Sequence, residues 1–313
     1  MMHMENPVLW KNRPALPIPA AGGHSGFLND QILYLGGTTW RKGYREWLSD
    51  AQVYQEADNS WRVGVPMPCP LAYAASVWCG TSVELYGGCD SEGPCLDCWR
   101  LDCGTQEFQR TGQIPAARLF ARAEIVEEFV YLLGGCVDSV TAEGARDILL
   151  RRESGTWRKI ATLPQGGLSL AASACVRHFL FIFGGCSASN GGKVRDLDDA
   201  WRFDTRSAEW QRLRPLPRKK RGLSAIALDG RYILLMGGHT ASLGAFEAEL
   251  DVYDMEADNY RRLGSLLSGA MCVELLSTGS EIFAVGGEDR VRGRTGQFLS
   301  ASVEDLIGRV SMG

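Results

Sequence analysis

The sequence predicts an all-β protein, a six-bladed β-propeller whose last blade is closed by the N-terminal strand. Two sequence markers recur six times in phase along the 313 residues. The N-terminal end of the chain has one strand more than the first repeat needs, and the last repeat has one strand fewer. The first marker is an apolar run ending in a glycine pair, whose second glycines are 51, 47, 50, 53 and 49 residues apart. A period near ~50 residues is typical of propeller blades built from one repeat each. The six runs are Ile32–Gly37, Val83–Gly88, Val130–Gly135, Phe181–Gly185, Ile233–Gly238 and Ile282–Gly287.

The second marker is an aromatic residue followed seven positions later by proline. Its copies are Trp10 and Pro17, Trp61 and Pro68, Phe108 and Pro115, Trp157 and Pro164, Trp210 and Pro217, and Tyr260 with Leu267 in the place of proline. Each repeat is therefore interpreted as four strands. Strand a holds small residues after the proline, strand b ends at the glycine pair, strand c is a third apolar segment, and strand d carries the aromatic. Glycine suits a place where the backbone leaves a strand with no room for Cβ, and large aromatics suit the gaps between blades.

The ends of the chain predict how the ring closes. The unit from Trp10 to Pro17 precedes the first glycine pair, and no such unit follows Gly287. The last blade therefore lacks strand d, while the N-terminus has a spare one. We expect Pro7 to Lys11 to complete the last blade, which removes the exposed edges of an open array. Residues 1–313 are then expected to form one domain.

Composition and charge narrow the function classes. The net charge is −4 and the pI is near 5.7, so the chain lacks the basic excess of a nucleic-acid-binding protein. It contains no run of about 18 apolar residues, which a membrane-spanning helix needs. The first residues show no basic region followed by an apolar one, so we expect no secretory signal and a cytoplasmic protein. In that compartment the ten cysteines are expected to be reduced thiols.

A cluster of cysteines in the second repeat offers a metal-site alternative. Its members are Cys89, Cys95, Cys98 and Cys103, and four thiolates can hold Zn²⁺ tetrahedrally. The spacing matches no zinc ribbon or finger, so reduced structural thiols are the preferred interpretation. The chain has only four histidines, and it contains no Walker A loop or dinucleotide fingerprint. We therefore expect neither a metal nor an organic cofactor.

The loops of one face are where ligand-binding groups are expected. In an up-and-down blade the b–c and d–a loops emerge on the same side, so they converge at one mouth of the axial channel. These loops carry many arginines, which pair well with carboxylates. Arg118 and Arg221 each stand where a strand a begins, and Arg292 follows the last glycine pair. The competing interpretation is that these loop residues are polar only because they are solvated.

The two markers and their period resemble the kelch-repeat family, and the resemblance covers essentially the whole chain. One segment, Gly286-Gly287-Glu288-Asp289-Arg290-Val291-Arg292-Gly293-Arg294-Thr295, also resembles a loop of the N-acetylneuraminate epimerases, which are sialic acid mutarotases with a six-bladed kelch fold. In that family a glutamate follows the glycine, and an arginine and a threonine lie six and seven positions later. The resemblance implies that Glu288 shuttles protons and that Arg294 binds the sugar carboxylate. The family has this loop in a middle blade, so a circular permutation is implied.

Two functions from different classes follow. The first is a mutarotase that opens and closes the ring of a small acidic sugar, N-acetylneuraminate or a close relative, by carboxyl acid–base catalysis. Its expected site comprises Glu288 and Arg294 as catalytic residues and Arg118, Arg221 and Arg292 as substrate-binding residues. The alternative is a non-catalytic kelch scaffold that binds a protein partner through the same loop face. Trp40 and Trp47 in the first b–c loop would suit such an interface, or would cover a bound sugar.

Overall fold

The computed structural model describes residues 10–29, 31–138, 144–188 and 194–312, and it confirms the six-bladed propeller. Each blade is a four-stranded antiparallel sheet in which every strand pairs with the next strand of the repeat. The first three blades consist of β2 (His24–Leu28), β3 (Gln31–Leu35), β6 (Ala51–Gln55) and β7 (Ser60–Val63); β8 (Ala75–Trp78), β9 (Ser82–Tyr86), β10 (Asp97–Asp102) and β11 (Phe108–Gln113); and β12 (Leu119–Val126), β13 (Phe129–Cys136), β14 (Ile148–Glu153) and β15 (Thr156–Thr162).

The remaining blades follow the same plan. They consist of β16 (Ala172–Val176), β17 (Phe179–Phe183), β20 (Ala200–Asp204) and β21 (Glu209–Arg212); β22 (Ser224–Ala227), β23 (Tyr232–Met236), β26 (Glu249–Asp254) and β27 (Asn259–Ser265); and β28 (Glu274–Ser277), β29 (Glu281–Val285), β30 (Phe298–Ser302) and β1 (Lys11–Asn12). The core lies between adjacent blades, where apolar side chains of two sheets pack face to face. The aromatics of strand d are half-buried at these junctions.

Elements outside the blades were not predicted from the repeat pattern. Three b–c loops fold into small hairpins, β4 (Thr38–Arg41) with β5 (Tyr44–Trp47), β18 (Cys186–Ala188) with β19 (Val194–Asp196), and β24 (His239–Thr240) with β25 (Ala245–Phe246). The chain ends in the helix α1 (Val303–Met312), which packs its apolar side against the fifth and sixth blades. Among the described residues, no helix has both the length and the apolar character needed to cross a membrane.

The N-terminal strand closes the sixth blade, as the phase of the repeats predicts. Lys11 pairs with Ser300 and Asn12 with Leu299. The following Arg13 extends the contact, because its main-chain N–H donates to the Phe298 carbonyl at 2.8 Å and its side chain forms an ion pair with Glu281 at 3.0 Å. The paired strand is Lys11–Asn12 rather than the expected Pro7 to Lys11. Residues 7–9 lie outside the described residues, and Trp10 lies half-buried next to the strand.

The glycine pairs link each blade to the next. The N–H of every second glycine donates to a main-chain carbonyl of the following blade, and the six N···O distances are 2.7–2.9 Å. The last of these bonds, from Gly287 to Ala20, joins the sixth blade to the first. A Cβ on any first glycine would lie only 2.2–2.8 Å from the same carbonyl oxygen. The marker found in the sequence is therefore the contact that sets the spacing between blades.

We expect Gly134→Ala to destabilise the protein by about 3 kcal/mol, because overpacking costs about 1–3 kcal/mol and a left-handed backbone about 1–2 kcal/mol more. Gly134 has φ 61°, and its added Cβ would lie 2.5 Å from the Leu168 carbonyl oxygen. Gly155→Ala is the matched control, since Gly155 has φ 81° but open space around the added Cβ. Urea unfolding measures both. Equal losses for the two variants would contradict a steric role for the first glycine.

A second set of contacts between blades surrounds the channel axis and was not predicted. One residue at the start of each strand a has φ between 53° and 68°. Five of these residues stand two positions before their strand and Phe120 is the second residue of β12; the six are Gly22, Tyr73, Phe120, Leu170, Gly222 and Cys272. The N–H of each of the last five donates to the carbonyl of the preceding member at 2.7–3.2 Å. We call these six residues the inner ring. It narrows the channel and separates a cavity on the loop face from one on the opposite face.

Candidate functional site

The loop face holds a cavity of about 390 Å³, the mouth cavity, in the position where the sequence places the binding groups. The three small hairpins and the loop after Gly287 form its walls, and the inner ring forms its floor. Arginines, aromatic residues and thiols line it together. The lining includes Trp40, Arg45, Tyr73, Phe120, Asp138, Cys136, Cys186, Arg221, His239, Phe246, Glu288, Arg292 and Arg294.

Three large side chains of the inner ring form the floor. Tyr73, Phe120 and Leu170 have φ values of 58°, 56° and 53°, a left-handed conformation that costs a non-glycine residue about 1–2 kcal/mol. Glycine occupies two equivalent positions of the ring, so the ring itself does not need these side chains. The rings of Tyr73 and Phe120 pack together with centroids 4.4 Å apart. The strained backbone thus presents an apolar and aromatic floor to the mouth cavity.

Glu288 and Arg294 meet at the edge of this floor. Arg294 Nη1 lies 3.0 Å from Glu288 Oε2, and the Arg294 side chain is only 5% exposed. Its guanidinium also donates to the Thr38 hydroxyl at 3.0 Å and to the Tyr73 hydroxyl at 3.3 Å. Burial raises the pKa of Glu288, while the nearby Arg294 and Arg45 oppose that rise. The carboxyl is thus held in the cavity by an arginine whose donors are already engaged.

Two other arginines stand at the rim with their charges unmatched. Arg45 and Arg292 are both exposed, and their guanidinium carbons lie 5.7 and 5.6 Å from the ring centroid of Trp40. Neither forms an ion pair with a carboxylate within the described parts of the chain. Cations over an indole are held by the ring quadrupole and stay available to an anionic ligand. Arg45 and Arg292 are therefore the guanidinium groups best placed to meet one.

The remaining arginines predicted for the site differ in their placement. Arg221 lines the mouth cavity and lies 3.5 Å from the Asp196 carboxylate, beside His239, whose pKa is lowered by burial. Arg118 corrects the prediction, because it does not line this cavity. Its side chain is buried beneath the glycine pair of the third blade, where Nη1 donates to the Gly134 carbonyl at 2.9 Å. Its position at the start of a strand pointed to the channel, but the side chain turns into the junction between blades.

The four cysteines of the second blade do not converge. Cys98 packs in the junction between the second and third blades, and Cys103 in the junction between the first and second. Burial raises the pKa of Cys89 to about 12 and of Cys95 and Cys98 to about 11, which disfavours the thiolate that binds metal. All ten cysteines are free thiols. No grouping of three or more potential metal ligands occurs among the residues that the structure describes.

Three exposed apolar side chains lie on the same face, and none of them was among the predicted site residues. Tyr44 is 77% exposed at the tip of its hairpin, Leu243 is 62% exposed and Val291 is 76% exposed. Each belongs to a b–c loop. Their hydrophobic character was visible in the sequence, but a hairpin tip can be recognised only once the loops have a structure. Tyr73 and Phe120 were overlooked because left-handed aromatics in strand-leading positions have no sequence signature.

A Kelch motif matches residues 167–217, which cover the fourth blade from its inner strand to the loop after β21. The protein is a six-bladed β-propeller with a Kelch motif. Similarity to known proteins extends further along the chain. Human Kelch-like protein 25 is 25% identical over 282 residues, which are 86% of this chain and 44% of that protein. Beta-scruin of Limulus polyphemus is 22% identical over 276 residues, 82% of this chain and 29% of that protein.

A third relative bears an enzyme's name. N-acetylneuraminate epimerase of Yersinia pestis (strain Pestoides F) is 38% identical over 85 residues, 26% of this chain and 22% of that protein. The identity is higher than in the other two, but the matched segment is less than a third as long. The chain spans less than half the length of each of these relatives.

Proposed function

We propose that this kelch propeller is a non-catalytic binding module that holds an acidic segment of a protein partner on its loop face. One observation carries the proposal. The exposed, unmatched guanidinium groups of Arg45 and Arg292 stand beside the exposed side chains of Tyr44 and Val291. A patch of arginine and aromatic side chains around a concave centre is typical of the anchoring region of protein interfaces.

The geometry of the mouth suits an acidic side chain that enters from a larger partner. A carboxylate can accept two parallel hydrogen bonds from one guanidinium, and the guanidinium carbons of Arg45 and Arg292 lie 5.7 and 5.6 Å from the Trp40 ring centroid at the entrance. Below them the floor of Tyr73 and Phe120 offers an apolar surface to a neighbouring apolar side chain of the partner. Apolar residues next to the acidic one would then cover Tyr44 and Val291.

The comparisons favour this class of function over an enzyme. Kelch-like protein 25 and beta-scruin each match more than four-fifths of the chain, and neither is named for a reaction. The epimerase matches only about a quarter of the chain.

A displayed library of random peptides tests the proposal. We expect the library to yield binders with at least one aspartate or glutamate next to an apolar residue. Arg45→Ala and Arg292→Ala should each weaken such a binder by about tenfold, because losing a partly exposed interface charge costs about 1–2 kcal/mol. Arg206→Ala is the matched control, since Arg206 forms an exposed ion pair with Glu127 away from the loop face. Fluorescence anisotropy gives the affinities.

Two results would reject the binding module. One is a library that yields no binder at all. The other is a set of binders whose affinities change no more in the two rim variants than in Arg206→Ala.

A second candidate, the mutarotase, is favoured by a separate observation. A carboxyl whose pKa is raised by burial, Glu288, faces a cavity of about 390 Å³ that is large enough for a nine-carbon sugar acid. In this geometry Arg294 positions Glu288, because its donors are engaged by Thr38, Tyr73 and Glu288 itself. The sugar carboxylate would instead meet Arg292 or Arg45 at the rim. Arg294 would then position Glu288 and would not bind the sugar carboxylate, which is the role that the sequence resemblance implied for it.

A further inference from the structure

The opposite end of the channel contains a second cavity of about 390 Å³, which we call the lower cavity. The inner strands of all six blades line it, from the level of Glu274 down to Trp78 and Ile125 near the a–b turns. The inner ring lies between this cavity and the mouth cavity, which share no lining residue. A small cavity of about 30 Å³ at the level of the ring shares Tyr73 with the mouth cavity and Glu274 with the lower cavity, so all three lie along one channel.

Two glutamates face each other across this compartment. Glu124 belongs to the third blade and Glu274 to the sixth, so they stand on opposite walls. Each carboxyl accepts a hydrogen bond from a serine of the next blade, Ser173 at 2.6 Å and Ser25 at 3.2 Å. These two Ser–Glu contacts join the third blade to the fourth and the sixth blade to the first. Burial raises the pKa of both Glu124 and Glu274, while the serine hydroxyls and the nearby Arg122 oppose that rise.

The charges in the lower cavity do not balance. Its titratable lining groups are Arg122, Glu124, Glu274 and Cys175, and burial raises the pKa of the Cys175 thiol to about 12, so the thiol is neutral. The Arg122 guanidinium donates to the Ala171 carbonyl at 2.6 Å and to another main-chain carbonyl at 3.3 Å. The lower cavity therefore contains one cation, the Arg122 guanidinium, and two carboxyls. When both are ionised, one negative charge in the cavity has no partner.

The unmatched charge also lacks full hydrogen bonding. Glu124 lies deep in the propeller, where burial raises its pKa, and its bond from Ser173 goes to Oε1. In the described part of the chain, no side-chain or main-chain donor reaches its Oε2 within hydrogen-bonding distance. Glu124 is partly exposed to the cavity, so this oxygen is open to a donor that enters from outside.

We propose that the lower cavity binds a small organic ammonium ion, a primary amine on a short aliphatic chain. The ammonium group has three N–H donors and one positive charge, which match the free oxygen of Glu124 and the unpaired charge. The lining combines serine hydroxyls with aliphatic side chains, of which Val77, Ile226 and Leu276 can pack on the carbon chain. Trp78, 41% exposed at the outer rim, adds an indole face that attracts cations.

Titration of the wild-type protein with n-butylamine tests this inference, and 1-butanol is the neutral probe of the same shape. We expect n-butylamine to bind and 1-butanol to bind at least tenfold more weakly, as measured by isothermal titration calorimetry. Glu124→Gln keeps the shape of the side chain and should weaken n-butylamine at least tenfold. Arg292→Ala at the other mouth is the matched control and should leave the amine affinity unchanged.

Amide and indole NMR of the wild-type protein locates the amine even where a glutamine variant fails to fold. We expect n-butylamine to shift the Trp78 indole and the amides around Ser173 and Glu124, and to leave the Tyr73 and Phe120 amides in place. The proposal fails if 1-butanol binds as well as the amine, or if the shifts map to the mouth cavity. It also fails if Mg²⁺ or Ca²⁺ reproduces the shifts and the amine does not. These outcomes are independent of whether the loop face binds an acidic partner.

Discussion

A chain that lacks residues 1–17 is expected to lose at least ~10 °C in melting temperature, or to become insoluble. The deletion removes β1 (Lys11–Asn12) and leaves the edge of β30 without a partner. It also removes Leu16, which is 3% exposed within the junction between the sixth and first blades, and the Pro14 carbonyl that accepts the Trp61 indole N–H at 2.6 Å. The loss of stability is therefore larger than the loss of two strand hydrogen bonds would cause, because the apolar junction between the sixth and first blades also opens.

Differential scanning calorimetry measures this loss. A chain that lacks only residues 1–9 is the control, since it keeps Lys11, Arg13 and Leu16, and we expect it to melt within a few degrees of the parent. If the chain without residues 1–17 melts at the parent temperature, the N-terminal strand does not close the ring.

The second large effect concerns the mutarotase candidate. If the protein accelerates anomer exchange of an acidic sugar, Glu288→Gln should slow that exchange by ~10²-fold or more. Glutamine keeps the shape of the side chain and a hydrogen bond with Arg294, but it cannot take up and return a proton. Exchange spectroscopy by NMR with N-acetylneuraminate and with a neutral sugar measures the rate. Sugar binding should persist, because the rim arginines that meet the carboxylate are unchanged.

Glu92→Gln is the control for this experiment, since Glu92 is an exposed carboxylate on a b–c loop of the same face. Arg294→Ala is expected to lower the melting temperature as well as the exchange rate, because the buried guanidinium also holds Thr38 and Tyr73. A parent protein with no exchange activity toward any acidic sugar leaves the binding module as the function. A Glu288→Gln variant as fast as the parent removes Glu288 from any such chemistry.

The repeat pattern predicted the propeller because its markers are the contacts that build it. The glycine pairs are required by the carbonyl of the next blade, which lies 2.2–2.8 Å from the missing Cβ in all six copies. The aromatics of strand d have a similar role. The Trp61 indole donates to the Pro14 carbonyl, and the Tyr260 hydroxyl donates to the Arg214 carbonyl at 2.8 Å. Features that every blade needs leave a period in the sequence, and a period can be recognised without a structure.

The candidate site could be predicted only in part, because its residues do not recur in every repeat. The sequence indicated Glu288, Arg221, Arg292 and Arg294 from their loop positions, and these four do line the mouth cavity. Side-chain direction decided the rest. Arg118 also stands at the start of a strand a, but its side chain points into a junction between blades. The N–H groups of Arg294 donate hydrogen bonds to neighbouring residues of the protein.

The residues of the lower cavity were still harder to predict from the sequence. Glu124 and Glu274 stand at different positions of their repeats, so nothing in the sequence connects them. The ring places the third and sixth blades opposite each other, and so brings both residues to the wall of one cavity. A pair of residues 150 positions apart that no local pattern relates becomes visible only when all six blades are in place.

The bond between the two ends of the chain has a consequence for the order of folding. Arg13 and Ser300 are in contact although 287 positions separate them in the sequence. At a synthesis rate of about 5–20 residues per second, the N-terminal strand waits on the order of tens of seconds for its partner. During that time the early blades can fold, but the growing arc keeps two unpaired edges. Ring closure is then the slow, late step, and a chaperone that shields strand edges would act in the interval before it.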